Sequence, residues 1–476
     1  MPAMNRETAI LVTLVAYKVV LLAIGFWGQK RTHTTEDFYL GGRRLGPLVA
    51  AVSAAASSSS AWTIVGVSGL AYAWGYGALW LFPACVGGFL INWFVLAPGL
   101  RRHTRATGAI TVTEILAGTE GRPLRGAITW IASVIVIVAL GLYVSSQLQA
   151  AGRTFSNTFE GLSFMNSVLI GGGIVVVYTL VGGFWAVSLT DTLQGLLMAA
   201  TAIVLPVAAI AKIGGFGALH DGLVAVDDGR SLGLFQDHGG IAAIGFALGL
   251  LGIGFGYPGQ PHVVNRIMAM GGDDRTLGQA KAIAISWAVV VYAGMLLLGL
   301  CGRVLYPCLP RDDLFITATN GLFPPIVAGV MIAAVLSAIM STADSQLLVT
   351  GSTVSHDLGL GGTSTKTMLL RSRITVLLVS VGAIVAALAT PKDIFNNVLF
   401  AFGAMGAAFG PALLYTALRG RPPSPMRTLL AMVAGCGLSI FAYYAYAAPA
   451  DKAMERVLPY LVSMTIVCWP KARRTV

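Results

Sequence analysis

Two polar runs interrupt otherwise apolar stretches of this chain, and their residue types point to ion chemistry. The first is Ser57-Ser58-Ser59-Ser60, inside Ala56–Trp62. The second runs from Ser337 to Gln346 and holds Ser341, Thr342, Asp344 and Ser345. Four successive Ser disfavour a helix, because their hydroxyls compete for backbone groups. In a bilayer an unwound stretch is tolerated only where it lines a cavity or is buried in protein. A helix broken near the midplane exposes carbonyls that hold a cation and a positive helix end that holds an anionic group. The plainer alternative for the Ser run is small-residue helix packing. An Asp well inside an apolar run is costly and marks an ion or proton site; the plainer alternative is a surface Asp at a helix end. Ser341, Asp344 and Ser345 are three and four residues apart, so they share one helix face. With Thr342 they offer hydroxyl and carboxylate oxygens, the ligands a hard cation prefers.

Two further segments are candidates. Asp191 stands near the start of an apolar run in Ser188-Leu189-Thr190-Asp191, where it suits either a helix N-cap or the mouth of an ion path. The stretch Gly252 to His262 is rich in Gly and Pro and loosens the end of another apolar run. Its Gly254, Gly256 and Gly259 spell a dinucleotide fingerprint, but no strand precedes them, which excludes that reading. Tyr257 offers a ring with one hydroxyl, suited to a pocket wall or to ordinary interfacial placement. The five Cys (Cys85, Cys301, Cys308, Cys436, Cys468) show no metal spacing. No nucleophile–base pair appears either, so an enzyme is the least supported class.

The elements that position these residues follow from composition. The chain is 56% hydrophobic and 11% charged, too little charge to solvate a globule of this length. Apolar runs of about 20 residues recur throughout, each sufficient to span a bilayer. Their number predicts about 13 spans, centred near Leu21, Ser60, Leu90, Ile137, Val175, Ala202, Leu251, Val291, Ser337, Val379, Gly406, Met432 and Met464. The longest polar stretch is 214–238, so no sizeable soluble domain is expected. The net charge of +11 reflects loop cations rather than a nucleic-acid partner. One set of alternate loops holds 21 of the 31 Lys and Arg residues, Lys30, Arg31, Arg101, Arg266, Lys366, Arg371 and Arg419 among them; the other set holds nine, and Lys18 lies inside the first span. The richer side is cytoplasmic by the positive-inside rule. The expectation is a multi-pass protein of the cell (inner or plasma) membrane with its N-terminus outside and its C-terminus cytoplasmic. The first apolar run is followed by Lys30 and Arg31 rather than a cleavage site, which reads as a retained span.

Taken together, these segments resemble the sodium:solute symporter family, most closely its sodium/proline branch. The likeness runs from about Asp37 to Leu418. It rests on Asp37-Phe38-Tyr39-Leu40-Gly41-Gly42-Arg43, the Ala56–Trp62 break, Gly182-Gly183-Phe184, Ser188–Asp191, Gly256–His262 and Ser341–Leu348. The resemblance implies an all-α polytopic membrane protein whose core is two inverted five-helix repeats, residues 46–212 and 239–418. A peripheral first helix and loop (1–45) precedes them and two peripheral helices (419–476) follow. It implies a main sodium site from the carbonyls of Ala56, Ser59 and Ala338 and the side chains of Ser341 and Thr342. A second sodium site would use Asp191, Ser341, Asp344 and Ser345, with Asp344 standing where relatives carry Ser. The solute pocket would draw on Ser60, Ala61, Trp62, Tyr143, Ile253, Tyr257 and Pro261. Two departures bear on this. Ser58 stands where the proline branch has Asp, which weakens sodium binding. Ile253 stands where it has Trp, which reshapes the pocket, with Phe255 expected to supply an aromatic wall instead.

The expected function is sodium-coupled import of a small solute, an amino acid or related small carboxylate, by alternating access. Sodium is the coupling ion and the bilayer the surroundings. Two alternatives stay open: proton coupling through Asp191 and Asp344, and a solute sensor acting with a separate kinase.

Overall fold

Apolar runs of bilayer length fold as helices throughout, because lipid leaves backbone groups no other partner. The computed structural model describes residues 5–29, 35–181, 183–227, 229–360, 365–390, 394–446, 448 and 451–470. Gly182 and the loop cations Lys30, Arg31, Lys392, Lys471, Arg473 and Arg474 lie outside the described residues. Among the described residues there is no strand, only an isolated backbone bridge between Leu45 and Met270.

Ten helices in the described residues are long and apolar enough to cross a membrane. The stretch Trp62–Thr107 counts twice, because Gly75 (φ 55°, ψ −131°) reverses the chain within it. A Cβ at that position would lie 2.2 Å from the Ser231 carbonyl oxygen, so the left-handed turn and the close approach both require glycine. The spans are then 1 (Arg6–Gln29), 2 (Pro47–Ser58 and, past a break, 62–74), 3 (81–107), 4 (Arg125–Ser156), 5 (Phe164–Val181) and 6 (Phe184–Ile213). Span 7 is Gly240–Leu251 with its continuation through Gly252–Gly259 to Pro261–Ala269. Spans 8 to 13 are Asp274–Leu305, Pro325–Ser352, Thr365–Ala389, Ile394–Arg419, Pro425–Ala445 and Leu458–Cys468. All thirteen expected centres fall on these spans. The last has only 11 residues, about 17 Å of a hydrocarbon core of roughly 30 Å.

Spans 9 and 11 form the centre. Of their most apolar windows, 83% is buried inside the protein, against 28% for spans 1 and 10. Span 1 therefore keeps a lipid-facing side, yet it packs on span 9, where Ile10 and Thr13 meet Gly329. Spans 12 and 13 pack on span 11; Ser463 donates to the Ala431 carbonyl at 3.0 Å. The polar stretch 214–238 folds as a helix, Phe216–Asp227, tied back by a 2.5 Å ion pair between Asp227 and Arg303. At the opposite surface Thr111 and Glu114 form a capping box, and Glu114 meets His356 at 2.9 Å. Burial pushes the Glu114 carboxyl upward, but His356 and the backbone N–H groups of Ile110 and Thr111 outweigh it and hold it below the usual carboxylate range.

Candidate ion and solute site

The Ser run does break its helix. Span 2 stops at Ser58; Ser59 leaves helical geometry (φ −115°, ψ 85°), and the chain resumes at Trp62 with a widened helical turn. Ser57, Ser58, Ser59 and Ser60 are all buried. The carbonyls freed here face span 9. Ser341 Oγ stands 3.3 Å from both the Ala56 and Ala338 carbonyl oxygens, and Thr342 Oγ1 donates to the Ser57 carbonyl at 3.1 Å. Ala56, Ala338, Ser341 and Thr342 thus come together. Ser59 makes other contacts: its N–H reaches the Ala56 carbonyl at 3.2 Å and its hydroxyl lies 3.3 Å from the Tyr292 hydroxyl. The Ser57 carbonyl, absent from the expected set, faces Thr342 instead. Ser58, at the position of the expected Asp, returns its hydroxyl to the Ala55 carbonyl at 2.9 Å.

The second expected ion set is also gathered, but a cation already stands in it. Ser345 Oγ lies 2.7 Å from the Ser341 carbonyl, 3.2 Å from Asp344 Oδ1 and 3.4 Å from Asp191 Oδ2. Arg266 Nη2 pairs with Asp191 at 2.8 Å and also donates to Ser345 Oγ. Arg266 Nε donates to Ser53 at 3.0 Å, and the guanidinium lies 5.1 Å over the Phe184 ring. One of the two readings of Asp191 is removed here, and the loop placement of Arg266 is corrected. Asp191 is no N-cap: Gly183 caps span 6 and Asp191 lies two turns inside, fully buried. Arg266 is no loop cation: its side chain is 1% exposed, because Pro261–Ala269 continues span 7 past the break and is buried along its length. Charge counting by sequence position could not separate it from true loop residues.

The expected solute residues divide between the two breaks. Tyr143 donates to Ser60 Oγ at 3.3 Å, and the Ala61 N–H donates to Gln147 Oε1 at 3.2 Å. Gln147 was missed, although a buried amide one turn from Tyr143 in an apolar span is a legible signal. The Trp62 and Tyr292 rings lie 6.1 Å apart. At the second break, Gly252–Gly259 tightens to a three-residue-per-turn helix before Gln260 turns the chain into Pro261. Tyr257 is wedged between Phe89 and Phe402, at 5.2 and 5.0 Å, and its hydroxyl meets that of Tyr292 at 2.7 Å. Ile253 and Pro261 are buried in this break; next to Pro261, His262 meets the Tyr143 ring edge-on at 6.4 Å. Phe255 is not a wall of this pocket. It stacks on Tyr460 of span 13 at 4.9 Å, because the tight turn of the break aims it outward while Tyr257 faces in.

Chemically, the arrangement offers carbonyls and hydroxyls with few carboxylates. Among the described residues no three His, Cys, Asp or Glu side chains gather as metal ligands. Neutral oxygens suit a hard cation that must bind and leave.

The sequence matches a family model described as Sodium:solute symporter family over residues 38–422. A sodium/proline symporter of Staphylococcus aureus (strain JH9) is 35% identical over 425 residues, covering 86% of this chain and 81% of that one. Among solved structures, a Na+-coupled sialic acid symporter in a substrate-bound outward-open state superposes with a TM-score of 0.77 at 18% identity, covering 96% of each chain. Mhp1, a nucleobase-cation-symport-1 family transporter in a closed conformation, superposes with a TM-score of 0.56 at 14% identity, covering 92% of this chain and 95% of that one. At these identities the likeness is one of fold, and this chain has the fold of these membrane transporters.

Proposed function

This chain belongs to the sodium:solute symporter family, and we propose that it imports a small solute with sodium by alternating access. The observation that carries the reading is the cradle between spans 2 and 9. Ser341 Oγ stands equally close to the Ala56 and Ala338 carbonyls, with Thr342 Oγ1 beside the Ser57 carbonyl. A hydroxyl that donates to a carbonyl turns over to offer its lone pair when a cation arrives, so these oxygens converge on sodium with little movement. The set Ala56, Ser59, Ala338, Ser341 and Thr342 is proposed as the sodium site. Asp191, Ser341, Asp344 and Ser345 are proposed as a second cation locus, with Arg266 neutralising Asp191 there.

The proposed repeats are residues 46–212 and 239–418, with 1–45 and 419–476 peripheral. The N-terminus lies outside and the C-terminus in the cytoplasm. The solute sits between the two breaks, against Ser60, Ala61, Trp62, Tyr143, Ile253, Tyr257 and Pro261. The proline relative supports an amino acid or similar small carboxylate as cargo, and Ile253 gives the pocket a shape of its own. Inward movement of one charge yields roughly 2.3 kcal/mol per 100 mV, about 40-fold accumulation before the sodium gradient is counted. Proton coupling through Asp191 is disfavoured by the Arg266 pair at 2.8 Å, which already occupies that carboxylate.

The test is uptake of radiolabelled amino acids and small carboxylates into proteoliposomes, with and without an inward sodium gradient. Sodium-stimulated uptake of at least one compound is expected. Uptake that follows a pH gradient and ignores sodium would overturn the coupling.

A further inference from the structure

Two carboxylates and two cations face one another around span 9, and only one pair is closed. Asp191 is held by Arg266 at 2.8 Å. Asp344 is fully buried; its Oδ1 accepts from Ser345 Oγ at 3.2 Å, while its Oδ2 has no hydrogen-bond partner. A buried carboxylate oxygen left unmatched is costly, and such orphans ask for an explanation.

The second cation comes from span 1, outside the proposed repeats. Tyr17 and Lys18 both reach span 9: the Tyr17 hydroxyl lies 2.5 Å from Ser337 Oγ, and Lys18 Nζ donates to the Met340 sulfur. A thioether is a weak acceptor and a poor match for an ammonium. Lys18 stands midway along the 24-residue helix Arg6–Gln29. It forms part of a groove walled by Leu14, Leu22, Ile174 and Leu336, on the side of span 1 that meets hydrocarbon. An ammonium at that depth is expensive unless it finds a charge partner. Met340 and Asp344 are four residues apart on one face of span 9, one turn of about 5.4 Å, and a lysine stem is long and flexible enough to cover that step.

We propose that Lys18 is the standing counter-charge of Asp344: its ammonium moves from the Met340 sulfur to the unpartnered Asp344 oxygen and takes the place there of a second coupling cation. This rests on the sodium-coupled reading above and deepens it. The main cradle then carries a single sodium per solute, because the second locus is neutralised from within the chain by Arg266 and Lys18. Span 1 becomes part of the ion machinery rather than a bystander, with Lys18 a positioning residue.

The experiment uses the full chain in proteoliposomes, with the solute found by the uptake panel. It reads sodium dependence and charge moved per solute. In the wild type, uptake rises hyperbolically with sodium. In Lys18→Met, uptake at low sodium falls at least about tenfold, since the buried Asp344 charge loses its partner. The sodium curve also becomes sigmoidal, and one more charge moves per solute as a second sodium fills the locus. In Lys18→Met with Asp344→Ala, which leaves no side-chain oxygen at that position, the hyperbolic curve returns. Lys18→Arg keeps the charge and keeps the hyperbolic curve, which tests the idea even where Lys18→Met does not reach the membrane. A Lys18→Met protein with the wild-type curve, a double variant no better than Lys18→Met, or a sigmoidal curve in Lys18→Arg overturns the inference. A wild type indifferent to sodium overturns the coupling itself, a separate result.

Discussion

The two interrupted helices are broken by different means, and the difference separates the proposed ion site from a structural hinge. In both, the backbone leaves helical geometry and frees carbonyls deep in the bundle. At the second break amide side chains hold those carbonyls: Gln260 Nε2 donates to Gly256 at 2.9 Å and to Phe402 at 2.8 Å, and Asn92 Nδ2 donates to Tyr257 at 3.2 Å. An amide NH2 only donates, so these carbonyls stay committed to their donors as long as the two amides keep their place. At the first break the partners are the hydroxyls of Ser341 and Thr342, which both donate and accept. The same backbone disruption is therefore sealed in span 7 and exchangeable in span 2. The sequence difference behind it is simple: Ser around one break, Gly, Pro and aromatic residues around the other.

The largest expected effect falls on the strap between the breaks. Arg266 lies on the helix leaving the second break and reaches Asp191 and Ser53 beside the first. Asp191→Asn strands a buried guanidinium and should lower stability by about 3–5 kcal/mol, read as thermal unfolding in detergent. Adding Arg266→Met should recover most of that loss. An Asp191→Asn protein as stable as the wild type would mean that the strap holds nothing. The next effect isolates the exchangeable break. Ser341→Ala with Thr342→Ala removes two ligands worth about 1.5 kcal/mol each, so the sodium concentration for half-maximal uptake should rise about 100-fold, while the two carbonyls left without donors should cost about 2 kcal/mol of stability. Unchanged sodium dependence would sink the cradle. The counterpart in the sealed break is Gln260→Met, which leaves two carbonyls without donors. It should cost about 2 kcal/mol of stability and leave the sodium concentration for half-maximal uptake within about twofold of the wild type. If Gln260→Met shifts sodium dependence as much as the double alanine variant does, the contrast between the breaks fails.

The sequence made one break more legible than the other, for physical reasons. Four consecutive Ser in an apolar run have no good helical rationale, so the first break could be placed to the residue. The second showed only as Gly and Pro density, and the facing of its side chains depended on a tight turn that no pattern specified; hence Phe255 was assigned inward and points at Tyr460. The span count followed from hydropathy because each run must satisfy its own backbone. Charge counting was blind to depth. Arg266 falls between two apolar runs and reads as a loop residue, yet it lies on the buried second half of span 7. Asp191 suits either a cap or an ion path by its place near the start of an apolar run, and the helix start two turns earlier at Phe184 removes the cap. Both residues belong to the same ion pair: each has a bland local explanation, and their 2.8 Å approach joins them.

The smallest effect tests whether the two breaks communicate. Tyr257, in the sealed break, reaches the Tyr292 hydroxyl at 2.7 Å, and that hydroxyl lies 3.3 Å from Ser59 and 3.4 Å from Thr63 in the exchangeable one. This chain of hydroxyls joins the proposed solute wall to the proposed sodium site, and it is short enough that moving Ser59 toward a cation must redirect Tyr292. Tyr257→Phe removes a single link without changing the ring packed between Phe89 and Phe402. It should cost about 1 kcal/mol, visible as a loss of about fivefold in how strongly sodium tightens solute binding. Solute affinity without sodium should stay nearly constant. Equilibrium binding of the labelled solute at zero and saturating sodium measures both quantities. If affinity falls equally in both conditions, Tyr257 only lines the pocket, and the two breaks are joined by Arg266 rather than by the tyrosines.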